Sequence, residues 1–408
     1  MKVLYVNHTS RMSGAELSLL ELLAGLPYDV DPIVACPEGE LAEEVRQLAL
    51  PVVPLPGIGV SFRLHPWHTP WGLAQIGAAA GHLRRLASAY DARLVHANSI
   101  RSGLIAGLAA SIGGPPAIVH VRDCMPPGRT ADLVRGFLRP RVAEVFANSR
   151  YTADNYADGA SRPPVRVVYN AVDMNRFDPW AVDRSHARTL LGLQPDVLVL
   201  GVVSQITPWK AQDDAIRILS AVRADGVDAR LLVVGDAKFT VGSIRYDNEV
   251  FERSLRRLVS DLRLEESVDF LGDRRDVPEI LRALDLVLVP SWEEPFGRIV
   301  IEAMAMETPV VATNVGGPRE ILGGIEAGVL LPPREPERWG REAARLLRDP
   351  ERRRAMGAHG RAVAAERFTR DAHLAEVLAG YGGVLAREDG KNGWTPASPV
   401  QEREGARR

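Results

Sequence analysis

Cysteine is almost missing from this sequence: Cys36 and Cys124 are the only two in 408 residues. Two thiols so far apart exclude a disulfide framework or a cysteine-built zinc site, and read as reduced structural residues. Lysine is nearly as scarce. Lys2, Lys210, Lys238 and Lys391 are the only lysines among 50 basic residues, which makes each one worth following. The net charge is only −2, so the broad basic surface of a nucleic-acid binder is absent. No stretch approaches the roughly 20 apolar residues that span a bilayer, and the opening MKVLYVNHTS lacks the apolar run of a signal peptide. The expectation is a cytoplasmic protein without a nucleic-acid partner and with at most a weak peripheral membrane contact.

A hydrophobic content of 46% and a charged content of 25% are those of a globular protein. The length exceeds what one ordinary core serves, so two domains are expected. Short apolar runs at Val3 to Val6, Pro32 to Ala35, Val52-Val53, Leu94 to His96, Ala117 to Val121 and Glu144 to Ala147 read as buried strands. Amphipathic stretches such as Leu73 to Ala89 and Ser102 to Ser111 separate them. The pattern restarts with strands at Asp196 to Val203, Arg230 to Val234, Val268 to Leu271, Leu284 to Val289 and Pro309 to Ala312. Strand–helix alternation of this kind predicts parallel sheets covered on both faces. The fold class is therefore α/β, with two doubly wound Rossmann-like domains in series, and ligands expected in a cleft at the carboxyl ends of the strands. Residues 351–386 read as helical throughout, and the polar stretch from Glu388 as a disordered tail.

The segment LDLVLVPSWEEPFGRIVIEAMAMETPVVAT, from Leu284 to Thr313, carries the most chemistry. A strand ends at Pro290, a loop holds Glu293 and Glu294, and Gly297 opens a helix containing Glu302. Free N–H groups and the positive end of the helix dipole gather at such a helix start, which suits a phosphate or a sugar hydroxyl. The two glutamates are spaced to grip two parts of one ligand. Alone, they read more readily as a capping residue, Glu294, and a charged helix face, Glu302.

EPFGRIVIEAMA resembles the Glu-x7-Glu motif of glycosyltransferase family 4, the retaining group 1 enzymes of GT-B architecture. The resemblance extends in order through Ser13-Gly14-Ala15-Glu16, Ala147-Asn148-Ser149, Tyr169-Asn170-Ala171-Val172-Asp173, VVSQITPWKAQ and VDFLGDRRDV. It implies an N-terminal acceptor domain over 1–175, a nucleotide-sugar donor domain over 176–368, a helix at 369–387 returning to the N-terminal domain, and a tail at 388–408.

By that resemblance Glu294 binds donor-sugar hydroxyls, helped by the backbone N–H groups of Phe296 and Gly297. Glu302 binds the ribose. Lys210 and the N–H of Gly14 hold the diphosphate, and Gly272 to Arg274 line the base. His120 faces the reacting sugar, in preference to His96, which also ends an apolar run. The sequence departs from the family at Gln205, where an arginine is usual, and Arg298 is the candidate to supply the missing charge. The activity implied is transfer of a hexosyl group from a nucleotide-diphosphate sugar, UDP before GDP, to a glycan, lipid-linked or small-molecule hydroxyl. Configuration is retained, and neither metal nor other cofactor is required. An epimerase or hydrolase on the same fold and a catalytically silent binder are the alternatives.

Four weaker signals are set aside or left open. Asp29-Val30-Asp31 fits a metal-binding D-x-D pattern but reads as a turn. Gly57-Ile58-Gly59 is an incomplete dinucleotide fingerprint and reads as a loop. The aromatic loop Ser61 to Trp71 reads as an acceptor cover, a membrane contact or a packed loop. The arginines between Arg122 and Arg141 read as a solvated face or an anionic-acceptor surface.

Overall fold

A computed structural model describes residues 1–57, 68–160, 162–238 and 246–389. Most of the aromatic loop, Ile58-Gly59 and the expected tail from residue 390 lie outside the described residues. The chain forms two compact units. One is Met1–Ala171 together with the helix from Arg370, and the other is Val172–Thr369. The boundary falls four residues before the expected position 175.

The N-terminal unit alternates strand and helix: β1 (Lys2–Val6), α1 (Gly14–Gly25), β2 (Asp31–Cys36), α2 (Glu40–Gln47), β3 (Val52–Pro54) and α3 (His68–Ala89). It continues with β4 (Leu94–Ala97), α4 (Ile100–Ser111), β5 (Ala117–Val121), α5 (Arg129–Leu138), β6 (Glu144–Ala147), α6 (Arg150–Ala157) and β7 (Val165–Val167). All seven strands are parallel, in the order 3-2-1-4-5-6-7. The winding direction reverses between β1 and β4, so the carboxyl ends of these strands are the natural ligand edge.

The C-terminal unit repeats the scheme with α7 (Arg184–Leu190), β8 (Leu198–Val203), α8 (Gln212–Ala224), β9 (Ala229–Val234), α9 (Asn248–Asp261), β10 (Val268–Gly272) and α10 (Val277–Ala283). Then come β11 (Leu286–Val289), α11 (Arg298–Ala305), β12 (Val310–Thr313), α12 (Gly317–Leu322), β13 (Gly328–Leu331), α13 (Pro336–Leu347) and α14 (Pro350–Arg367). Its six parallel strands run 10-9-8-11-12-13, with the reversal between β8 and β11. The last helix, α15 (Arg370–Asp389), packs on α1 in the N-terminal unit.

Helices cover both faces of the first sheet because its strands are apolar on both sides. Ile76, Leu83, Ile105 and Leu138 from α3, α4 and α5 cover Leu4, Val95 and Val119 on one face. On the other, Leu19, Leu41, Val377 and Tyr381 cover Val3, Val34 and Phe146. The C-terminal core gathers Leu200, Leu231, Leu286 and Val311 with Ile216, Leu219, Trp339 and Leu346.

The helical stretch expected over 351–386 is two helices, α14 and α15, divided at Phe368-Thr369. The edge strands β7 and β13 had not been anticipated. Both are short and partly exposed, so they lack the continuous apolar run that marks a central strand.

Candidate functional site

In the C-terminal unit the site is built on the ends of β8 and β11, the two strands that flank the reversal. After β8 a single 3-10 turn, Pro208–Lys210, leads through Ala211 at φ +56 into α8. After β11 the loop Ser291 to Gly297 leads into α11, with Gly297 as its N-cap at φ +88. That left-handed backbone favours glycine.

The two loops are fastened together. The Trp292 N–H donates to the Trp209 carbonyl at 2.9 Å, and Lys210 Nζ lies 2.6 Å from Glu294 Oε2. Ser291 Oγ donates to the same carboxylate oxygen at 2.9 Å, while the Lys210 ammonium sits 4.2 Å from the centre of the Trp209 ring. The Glu294 side chain is only 4% exposed and that of Lys210 17%, so the pair is largely shielded from water and its geometry is worth more than that of a surface pair. A third loop closes in from β12, where the Gly317 N–H donates to the Glu294 carbonyl at 2.8 Å. A Cβ on Gly317 would lie 2.1 Å from the Phe296 carbonyl oxygen, so only glycine permits this approach.

From the first residue of α11, Arg298 Nη2 donates to Glu302 Oε1, one turn on, at 2.9 Å, an i to i+4 pair with both side chains mostly buried. Glu294, Phe296, Gly297, Arg298 and Glu302 thus share one helix start, with Lys210 against it. Phe296 is buried and meets the Phe368 ring edge to face.

Gln205 lies at the neighbouring junction. Its Nε2 donates to the Lys238 carbonyl at 3.3 Å, and Lys238 Nζ pairs with Asp273 at 2.9 Å. The ends of β8, β9 and β10 are stitched by Ile206 N–H to Asp236 and Gly235 N–H to Gly272. Arg274 folds back onto Asp276, Nε donating at 2.8 Å. Ser291, Trp209, Gly317 and Lys238 were not singled out from the sequence. Of these, only the scarcity of lysine hinted at Lys238.

In the N-terminal unit, Gly14 is the first residue of α1 and is exposed. Ser13 Oγ donates to Glu16 Oε2, and buried Glu16 accepts from Asn7 Nδ2 at 3.0 Å. Asn98 Nδ2 donates to Asn7 Oδ1 and to the Ala15 carbonyl, both at 3.1 Å. Two strand ends reuse one device. Asn98-Ser99 and Asn148-Ser149 each place a buried asparagine on the edge and a serine cap on the next helix, accepting from Ser102 N–H and Thr152 N–H.

His120 lies near the end of β5, as expected, and is enclosed there. Its side chain is 0% exposed, and its ring lies against those of His96, Phe146 and His373. Arg122 Nη2 meets its Nδ1 at 3.3 Å, and Nε2 has no hydrogen-bond partner among the described residues. Burial, with Arg122 next in effect, holds its pKa well below the usual histidine value. His120, expected to face the sugar, is an interior group of the N-terminal unit, because β5 is a central strand with helices on both faces. His96 is likewise enclosed, its Nδ1 2.6 Å from the Tyr381 hydroxyl, which donates to Tyr5 at 3.0 Å. Asp31 of the D-x-D pattern starts β2, at the amino end of the strand and away from the ligand edge.

Residues 12–176 match the family profile described as Glycosyltransferase Family 4, and residues 183–363 the profile described as Glycosyl transferases group 1. The D-inositol 3-phosphate glycosyltransferase of Salinispora arenicola is 35% identical over 338 residues, covering 77% of this chain and 71% of that protein. The protein of the same name from Segniliparus rotundus is 33% identical over 329 residues, covering 75% and 71%. Among solved structures, Anabaena Alr3699/HepE in complex with UDP-glucose aligns with a TM-score of 0.80 at 25% identity, over 93% of this chain and 100% of that one. Sucrose-phosphate synthase from Thermosynechococcus elongatus shares the fold, with a TM-score of 0.75 at 20% identity over 95% and 99%.

Proposed function

Since the chain belongs to the group 1 glycosyltransferases of the family 4 type, enzymes that use nucleotide-sugar donors, we propose that it moves a hexosyl group from a UDP-sugar to an acceptor hydroxyl with retention of configuration and without a metal ion. The observation that carries this reading is the Lys210–Glu294 pair at the start of α11. A cation for the leaving diphosphate and a carboxylate for the sugar hydroxyls are held ready side by side. As the bond from the sugar's anomeric carbon to the diphosphate breaks, charge collects on the diphosphate. Lys210, Arg298 and the N–H groups at the start of α11 stabilise it. The acceptor oxygen bonds to the anomeric carbon on the face the diphosphate leaves, and its proton passes to that phosphate. Glu302 holds the ribose, and the resemblance gives Gly14 a backbone N–H toward the diphosphate. UDP is the base proposed because Alr3699/HepE is in complex with UDP-glucose.

The test is incubation of purified protein with UDP- and GDP-sugars, with and without acceptors that include D-inositol 3-phosphate, in EDTA and in magnesium. Retained transfer in EDTA and an axial-to-axial anomeric outcome by NMR are expected. Release of UDP without any acceptor favours the hydrolase reading, and no release at all the silent binder. Loss in EDTA restored by magnesium overturns metal independence.

A further inference from the structure

The ends of β1, β4 and β5 converge at the ligand edge of the N-terminal sheet, and burial of His120 leaves that edge without its expected polar group. We propose that Asp123, mounted by the buried guanidinium of Arg122, is the side chain of the N-terminal unit that takes hydrogen bonds from the acceptor's hydroxyl groups. The proposal rests on the transferase reading above.

Arg122 leaves β5 directly into the interior, where its side chain is held from three sides. Nε donates to Asn98 Oδ1 at 2.9 Å, Nη1 donates to Asn170 Oδ1 at 2.7 Å, and Nη2 meets His120 at 3.3 Å. Its carbonyl accepts from Asn148 Nδ2 at 3.0 Å. The peptide joining Arg122 to Asp123 is therefore fixed through both side chain and backbone, by groups from the ends of β4 and β6 and by Asn170. Asp123 follows at once and is the first exposed ionisable side chain beyond the strand. A carboxylate on so rigid a mount loses little freedom when it accepts a hydrogen bond, as a positioned binding group requires.

The surroundings are of mixed character. Arg101, in the first turn of α4, is close enough for Asp123 to oppose the downward shift that burial imposes on its guanidinium. His8, at the end of β1, is held by Ser99 Oγ at 3.0 Å and is kept neutral by burial and by Arg101. A carboxylate that accepts, a guanidinium that donates and a neutral imidazole on one strand edge suit a polyhydroxylated ligand, each hydroxyl of which both gives and takes a hydrogen bond. Arg122 is a positioning residue in this scheme and touches no substrate.

The experiment compares Asp123→Asn, Asp123→Ala, Arg122→Lys and the double variant Asp123→Asn/Arg122→Lys with the wild-type chain. It measures acceptor KM, kcat and the affinity for UDP alone. Asp123 is exposed, so its variants fold. About a tenfold to hundredfold loss in kcat/KM for acceptor is expected from either Asp123 variant, the scale of a lost charged hydrogen bond. Affinity for UDP should stay unchanged. Arg122→Lys should shift the same parameter, and the double variant should lose no more than Asp123→Asn, since both act through one group. Acceptor parameters within threefold of wild type for both Asp123 variants overturn the proposal, as does a loss confined to donor KM. A wild-type chain that neither binds UDP nor transfers sugar sinks the transferase reading, and this proposal with it. Wild-type turnover with unaffected Asp123 variants sinks this proposal alone.

Discussion

Lys210 Nζ and Glu294 Oε2 stand 2.6 Å apart, and each is the best available partner for the other until a ligand arrives. The ammonium is shared between the carboxylate and the Trp209 ring. A diphosphate joining this group adds negative charge to a cation already in place, so little rearrangement is needed. Lys210→Ala removes that cation and strands a buried carboxylate, a loss of about 2–5 kcal/mol for a hydrogen-bonded charge pair. Donor kcat/KM should fall by roughly two to three powers of ten. Isothermal titration with UDP checks the binding part, and binding equal to wild type counts against the role of Lys210.

Arg298 stands in the same relation to Glu302, at 2.9 Å within one helix. If it supplies the charge that Gln205 does not, Arg298→Ala should weaken UDP binding nearly as much as Lys210→Ala does. Uridine binding should change far less. Equal losses for UDP and uridine would assign Arg298 to holding Glu302 instead.

Gly317 and Gly77 make opposite predictions from the same substitution. At Gly317 a methyl group would press into the Phe296 backbone, so Gly317→Ala should lower thermal stability by the equivalent of about 1–3 kcal/mol or more. It should also disturb donor binding, because Gly317 N–H holds the Glu294 carbonyl. Gly77 lies within α3, and among the described residues nothing beyond its own helix backbone and chain neighbours lies within 4 Å of an added Cβ. Gly77→Ala should raise stability by about 0.5–1 kcal/mol. Melting curves of the two variants test both.

Three histidines of the N-terminal unit should make the protein acid-sensitive. His96 and His120 are held well below the usual value, chiefly by burial and then by Arg122, with His373 adding to both and His96 to His120. His8 is lowered to about 3 by burial and Arg101. The unfolded chain binds protons that the folded one refuses. Stability is therefore complete above about pH 6.5, the unfolded histidine value, and declines as pH falls from there toward 3. Each such proton contributes about 1.4 kcal/mol per pH unit. Denaturation midpoints between pH 7 and 5 should fall for wild type and fall less steeply for His120→Phe. Parallel slopes would show that His120 is not one of the groups responsible.

Central strands were readable because both faces are buried and the sequence there is continuously apolar, as in Val3 to Val6 and Leu286 to Val289. The helix start at Gly297 was readable because its glycine is demanded by the backbone. The enclosure of His120 was not readable. Alternation says that a strand residue points to one face, but not that α15, far along the chain, lays His373 and Tyr381 over that face. Nor was the engagement of Gln205 with Lys238, since a side-chain amide meeting a carbonyl across two loops leaves no periodic trace. The pairing of Arg298 with Glu302 has a trace in the sequence, their spacing of four on one helix.

The helix α15 makes the N-terminal unit discontinuous in sequence. Everything the C-terminal unit needs lies in one uninterrupted stretch, Val172–Thr369. The N-terminal unit needs the helix from Arg370 to cover Tyr5, His96 and Phe146. The N-terminal sheet is therefore completed only by the helix most distant from it in sequence, and a chain cut before Arg370 would keep every residue of the C-terminal unit while leaving part of one face of the other sheet uncovered.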